Sequence, residues 1–194
     1  MKDRSAINLS ETYLDIGNDF IENDWYQQAI TMLTKAIELN PSYGMAYERR
    51  GLAHGLMGKY EDAIADFTVA IKFDDTRAGN HLNLGLSYYK LWRLDEAIKH
   101  YNKAIELSSD IPLFYINRGI ALHYLGETKK AIADYNKAIK LNTEDTEVYT
   151  YRGEALADLG KYEKALADYD KALALNPRDI HAYAGRALVM SYPG

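Results

Sequence analysis

The stretch Tyr149–Pro177, YTYRGEALADLGKYEKALADYDKALALNP, decides how the whole chain is read. It contains two runs with helical periodicity, divided at Gly160-Lys161. The same layout recurs outward from it. Copies of 34 residues begin at Ser10, Gly44, Ala78, Pro112 and Thr146, and a sixth begins at Ile180 and stops at Gly194. Position 8 of each full copy is glycine: Gly17, Gly51, Gly85, Gly119 and Gly153. Position 20 is alanine (Ala29, Ala63, Ala97, Ala131, Ala165), and so is position 27 (Ala36, Ala70, Ala104, Ala138, Ala172). Large residues stand between them, with Tyr13, Tyr47, His81, Tyr115 and Tyr149 at position 4 and Leu33, Phe67, Tyr101, Tyr135 and Tyr169 at position 24.

A glycine inside a helix costs about 1 kcal/mol relative to alanine. Five in register need a cause, and the simplest is close approach of two helices where a Cβ would clash. Each copy therefore predicts a hairpin of two helices of about 13 residues, with large residues packed against small ones. A stack of such hairpins is held by nearest-neighbour interfaces rather than by one centre. The expected organisation is an N-terminal extension over 1–9, five units at 10–43, 44–77, 78–111, 112–145 and 146–179, and a final helix over 180–192. The extension is expected to be frayed, with Ser10 as the N-cap of the first helix.

The spacing resembles the tetratricopeptide repeat family, over residues 10–194. Departures are local: Tyr or His for the family's Trp at position 4, Thr128 for an aromatic at position 17, and Ala187 for the glycine of the sixth unit. The resemblance implies an all-α fold, a right-handed α-solenoid of antiparallel hairpins. It implies a concave groove lined by the first helices, and a role as a scaffold for protein–protein interaction.

The remaining composition fits that role and argues against others. A net charge of −5 without a Lys/Arg cluster argues against nucleic acid. No apolar run approaches the length of a membrane span. There is no cysteine, and the N-terminus MKDRSAINLSE has no apolar leader, so a cytoplasmic location is the default expectation. The five histidines (His54, His81, His100, His123, His181) form no ligand pair, and the glycines are not clustered as a phosphate loop. No catalytic residue, metal or cofactor is expected, and the chain does not read as an enzyme.

One internal correlation carries structural content. Position 7 is Arg50, Arg118 and Arg152 where position 23 is Asp66, Asp134 and Asp168. Units one and three have Ile16 with Met32 and Leu84 with His100 instead. In a hairpin folded near position 15 these positions face each other, so each Arg is expected to pair with the Asp of its own hairpin. Duplication alone would leave the same matches. Arg186 has no second helix of its own and is expected to use Asp168, water or a continuation of the chain.

The groove positions that the resemblance implies select Arg49, Leu52, Leu82, Asn83, Leu86, Tyr89, Ile116, Asn117, Ile120 and Tyr124 as the partner-binding set. Apolar residues dominate the middle units, while Glu11, Asp15 and Glu22 stand at one end and Glu147, Glu154 and Asp158 at the other. A protein segment or peptide, apolar with basic flanks, is the complementary ligand. In the family, clamping of chaperone C-terminal tails needs lysines and an arginine that this chain lacks. Leu14 stands where a Lys is required beside Asn18, so that partner is rejected. The last helix is apolar around its circumference. Tyr183, Leu188, Val189, Met190 and Tyr192 are candidates for self-association into a homodimer or filament, the alternative function. A chain that continues past the helix, or an ordinary cap with scattered apolar residues, would leave the same pattern.

Overall fold

The computed structural model describes residues 4–191, with side chains placed from residue 8 onward. The described residues form eleven α-helices and no strand. They divide into two compact units, one ending at Leu107 and the other beginning at Ser108.

The first unit holds three hairpins: α1 (Arg4–Glu22) with α2 (Tyr26–Leu39), α3 (Gly44–Leu56) with α4 (Tyr60–Phe73), and α5 (Ala78–Lys90) with α6 (Leu94–Leu107). The second helix α2 also packs on α3, and α4 on α5, and α3 touches both α1 and α5. The second unit repeats this with α7 (Pro112–Tyr124), α8 (Thr128–Lys140), α9 (Glu147–Asp158), α10 (Tyr162–Leu175) and α11 (Ile180–Met190). The repeat boundaries emerge as helix starts at Gly44, Ala78, Pro112 and Ile180.

The periodic glycines are explained by what faces them. A Cβ on Gly85 would lie 2.6 Å from the ring of Tyr101, and the same holds for Gly119 against Tyr135. Those tyrosines are fully buried, so nothing beside them can yield. The turns obey one rule with two solutions. Gly58, Gly126 and Gly160 take left-handed backbone at φ 75°, 85° and 69°. Asp24 and Trp92 occupy the same turn position at φ 61° and 58°, where an L-residue costs roughly 1–2 kcal/mol. The tyrosines at position 4 also have a polar task. Tyr47 donates to the Pro41 carbonyl (3.2 Å) and Tyr115 to that of Ser109 (3.0 Å), tying each hairpin to the preceding turn.

Three expectations need correction. Residues 4–9 are not frayed but extend α1 backward to Arg4. Ser10 is consequently no N-cap; it lies inside α1 and is buried. Arg186 does not reach Asp168 but pairs with Asp170 on the exposed side of α10 (2.8 Å). The sixth unit does recover a close glycine, two residues earlier than its register. Gly185 stands against the Tyr169 ring, where a Cβ would lie 2.5 Å from Cζ.

Candidate functional site

The hairpin geometry brings the three Arg–Asp pairs together as two-pronged contacts. Arg50 donates from Nε and Nη2 to the two carboxylate oxygens of Asp66 at 2.8 and 2.7 Å. Arg118 meets Asp134 at 2.7 and 2.6 Å, and Arg152 meets Asp168 likewise. The three aspartates are buried. Hydrogen bonding to these carboxylates, working against burial, raises each guanidinium further above its ordinary range. A feature invisible to the hairpin argument is that the free prong reaches backward. Arg50 Nη1 donates to Thr34 (3.1 Å) and Arg152 Nη1 to Asn136 (2.6 Å), each on the second helix of the preceding hairpin. Each pair joins the two helices of its own hairpin, and those of Arg50 and Arg152 also reach the preceding one.

Cavities open on the surfaces of the first helices in each unit, and two of them, one per unit, differ in chemistry. In the first unit, a cavity of about 210 Å³ lies between α3 and α5. Leu52, Leu56, Phe67 and Leu86 form its walls, and Tyr60, Asn83, Ser87 and Lys90 complete the lining. Gly51 and Gly55 open its floor by leaving no side chain there. Of the predicted binding residues in this unit, Leu52, Asn83 and Leu86 line it. Arg49, Leu82 and Tyr89 do not; they are half-buried, with Tyr89 packed 6.3 Å from the Trp92 ring. Tyr60 and Phe67 come from the second helix of the hairpin, which groove positions on first helices alone do not reach. The missing side chain at Gly51 is the sequence signal that would have found Phe67.

In the second unit, a cavity of about 290 Å³ lies among α7, α8 and α9, lined by Ile120, His123, Tyr124, Tyr135, Tyr151, Glu154 and Asp158. Ile120 and Tyr124 are predicted binding residues. Asn117 turns back to its own helix, donating to the Leu113 carbonyl (2.8 Å). Ile116 is only 3% exposed and therefore leaves the set of presented residues. An adjoining open cavity of about 490 Å³ shares Glu154 and Asp158 and continues to His181, Tyr162 and Tyr169. Burial raises the Glu154 carboxyl above its ordinary value, opposed by His123 and His181.

The last helix is placed by its start. Asp179 caps α11 by accepting from Ala182 N (3.0 Å), and Thr150 of α9 donates to its other oxygen (2.7 Å). Ile180, at 79% exposure, and Tyr183, Leu188 and Met190 face outward. Val189 does not: it is buried in a cluster with Leu156, Tyr169 and Ala182, so it cannot serve self-association. Tyr192 lies outside the described residues. No group of three or more His, Cys, Asp or Glu is arranged to hold a metal among the described residues.

Tetratricopeptide repeat profiles match residues 14–78, 75–150 and 146–179. The chain belongs to the tetratricopeptide repeat family. No curated protein sequence matches it. Among solved structures it is similar to YrrB, described as a TPR protein with an unusual peptide-binding site, at 22% identity and a TM-score of 0.79, covering 90% of each chain. It is also similar to a tetratricopeptide repeat protein from Parabacteroides merdae (19% identity, TM-score 0.83, 94% of this chain and 72% of that one). A third likeness is to pilF of Pseudomonas aeruginosa (20% identity, TM-score 0.75, 97% of this chain and 90% of that one). At these identities the likeness establishes the fold, an α-helical repeat solenoid. Proteins of this family serve generally as protein–protein interaction scaffolds.

Proposed function

We propose that this protein is a scaffold that holds a peptide or helix of a partner protein on its first helices, and that it has no catalytic role. The observation that carries the reading is the cavity between α3 and α5. Leucine and phenylalanine side chains form an accessible apolar recess there. Such a recess suits one large apolar side chain of a bound segment, with Asn83 and Lys90 at hand for its backbone or a carboxylate. The peptide-binding site named for YrrB is consistent with this use of the fold. No helix among the described residues is long and apolar enough to cross a membrane.

A phage-displayed peptide library selected on the intact chain tests the reading. The selected peptides should share a large apolar residue, and Leu86→Glu should weaken them more than about tenfold, since it places a charge in the recess. Peptides that bind the Leu86→Glu variant as well as the parent would overturn it.

The outward apolar face of α11 supports a second reading, assembly with further copies of the chain. Light scattering over a tenfold concentration range separates the two. A larger species that dissociates on Ile180→Glu and Leu188→Glu would make α11 the working surface. A monomer throughout would leave the recess as the working surface.

A further inference from the structure

We propose that the cavity among α7, α8 and α9 is a specificity pocket for the guanidinium group of an arginine in the bound segment. The inference rests on the scaffold reading above and names what the second unit would recognise.

Three observations converge on a cation. The cavity wall is aromatic: Tyr151 backs onto the fully buried Tyr135 (ring centroids 6.2 Å apart at 29°), and Tyr124, 60% exposed, stands at the mouth. Aromatic faces attract cations, and arginine most often because its flat guanidinium stacks on them. The Tyr151 hydroxyl is held by Glu147 (2.7 Å). That bond fixes the ring at the wall.

The cavity also carries two acids. Glu154 and Asp158 line it, and no lysine or arginine does. Asp158 shares a hydrogen bond with His123 Nε2 (2.7 Å), which orients both side chains. The Glu154 carboxylate is half-buried, and among the described residues no hydrogen bond or ion pair engages it. Burial raises it first; His123 and His181 act to lower it, and Asp158 and Asp179 to raise it. A half-buried carboxylate beside a second acid is unfavourable, and a forked donor satisfies both of its oxygens.

The contrast with the recess between α3 and α5 sharpens the assignment. That recess carries Lys90 and no acid, and would repel the same group. Tyrosine rings beside two carboxylates therefore mark the second unit as the place for the basic part of a partner segment.

The test uses the intact chain, labelled with nitrogen-15, titrated with Nα-acetyl-arginine amide, its lysine counterpart and the neutral citrulline counterpart. Arginine amide should shift backbone signals of residues around Ile120, Tyr151 and Glu154, with citrulline amide binding at least about tenfold more weakly. Glu154→Gln and Asp158→Asn should each weaken arginine amide several-fold. Both are near-isosteric and neither removes a core side chain, and an unchanged amide spectrum would confirm their folding. Equal binding of citrulline, shifts confined to other regions, or stronger binding of lysine amide would each overturn the assignment. The outcome is separable from that of the scaffold reading. Loss of arginine binding with Leu86-dependent peptide capture intact sinks only the pocket. Arginine binding without any Leu86-dependent capture leaves the pocket and sinks the recess.

Discussion

Hairpins α3/α4 and α5/α6 share a backbone plan and differ in almost everything that fills it. In the first, positions 7 and 23 hold the Arg50–Asp66 pair, and Gly58 makes the turn. In the second, Leu84 is buried opposite His100, whose ring stacks on His81 (5.6 Å) and Tyr88 (5.5 Å), and Trp92 makes the turn. Position 24 is Phe67 in one and Tyr101 in the other. The difference teaches that the repeat specifies where large and small groups go, while each layer may be ionic or neutral. What matters is that the members of a layer are satisfied as a set.

The largest effect expected from breaking a set is Asp66→Ala. It leaves the Arg50 guanidinium with Thr34 and the face of Tyr47, 5.7 Å away, as its remaining partners. Loss of one member of a buried pair costs roughly 3–5 kcal/mol, and the Arg50 side chain, still 21% exposed, moves the expectation to about 3 kcal/mol. His100→Ala, which removes only a neutral ring, should cost about 1–2 kcal/mol. Urea denaturation of the two variants measures both. An Asp66→Ala loss smaller than that of His100→Ala would mean that the ionic layer adds nothing over the neutral one.

The glycines offer the next largest contrast. Alanine gains about 1 kcal/mol of helix propensity over glycine, and forcing a methyl into a packed core costs about 1–3 kcal/mol. At Gly85 the new Cβ would meet the Tyr101 ring at 2.6 Å, so Gly85→Ala should lose about 1–2 kcal/mol. At Gly51 the nearest atoms are 3.2–3.3 Å away on Asp66 and Phe67, so Gly51→Ala should fall within about 0.5 kcal/mol of the parent. Equal losses in both hairpins would refute the view that the closer Tyr101 ring holds Gly85 more strictly than Phe67 holds Gly51.

These cases show why the sequence carried the fold so far and the site only in part. The 34-residue period, the glycine at 8 and the alanines at 20 and 27 each answer a packing demand that recurs, so repetition exposes them. The Arg–Asp pairs were legible for the same reason, since Arg50, Arg118 and Arg152 change together with their partners. The binding surfaces do not repeat. Phe67 and Tyr135 reach their cavities from second helices, past glycines, which a list of first-helix positions omits. Ile116 and Val189 look presentable by residue type, yet neighbouring helices bury them. The start of α1 at Arg4 was hidden because the segment before Ser10 has no repeat copy to compare with.

Acid should separate the two hairpins more gently. Burial first, and then the neighbouring His81, pulls His100 from 6.5 down to about 4. Burial lowers His81 as well. The unfolded chain takes up its protons near 6.5, while the fold resists until lower pH. Unfolding therefore binds protons in that window, and stability is full above pH 6.5 and falls as pH drops toward 4. The loss attributable to this stack should be on the order of 1 kcal/mol, because the ring is only half-buried. Denaturation between these limits should show a shallower slope for His100→Leu than for the parent. Parallel slopes would remove the histidines from the account.

The smallest net effect is expected from exchanging one layer for the other. Leu84→Arg alone places a cation beside two imidazoles that have no charge to offer it, and His100→Asp alone buries a carboxylate opposite leucine. Each should lose about 2 kcal/mol or more. Together they rebuild the geometry of Arg50 and Asp66, sixteen residues apart on the same hairpin frame. The double variant should recover to within about 1 kcal/mol of the parent, a coupling of 2 kcal/mol or more in the double-mutant cycle. It should also lose the His100 contribution to acid sensitivity. Recovery will fall short of complete because His81 Nδ1, now 3.3 Å from His100 Nδ1, loses that partner. An additive cycle would show that the ionic layer depends on more than its two named residues. The backward bond from Arg50 to Thr34, whose counterpart the grafted arginine would have to find on α4, would then be the part of the set still missing.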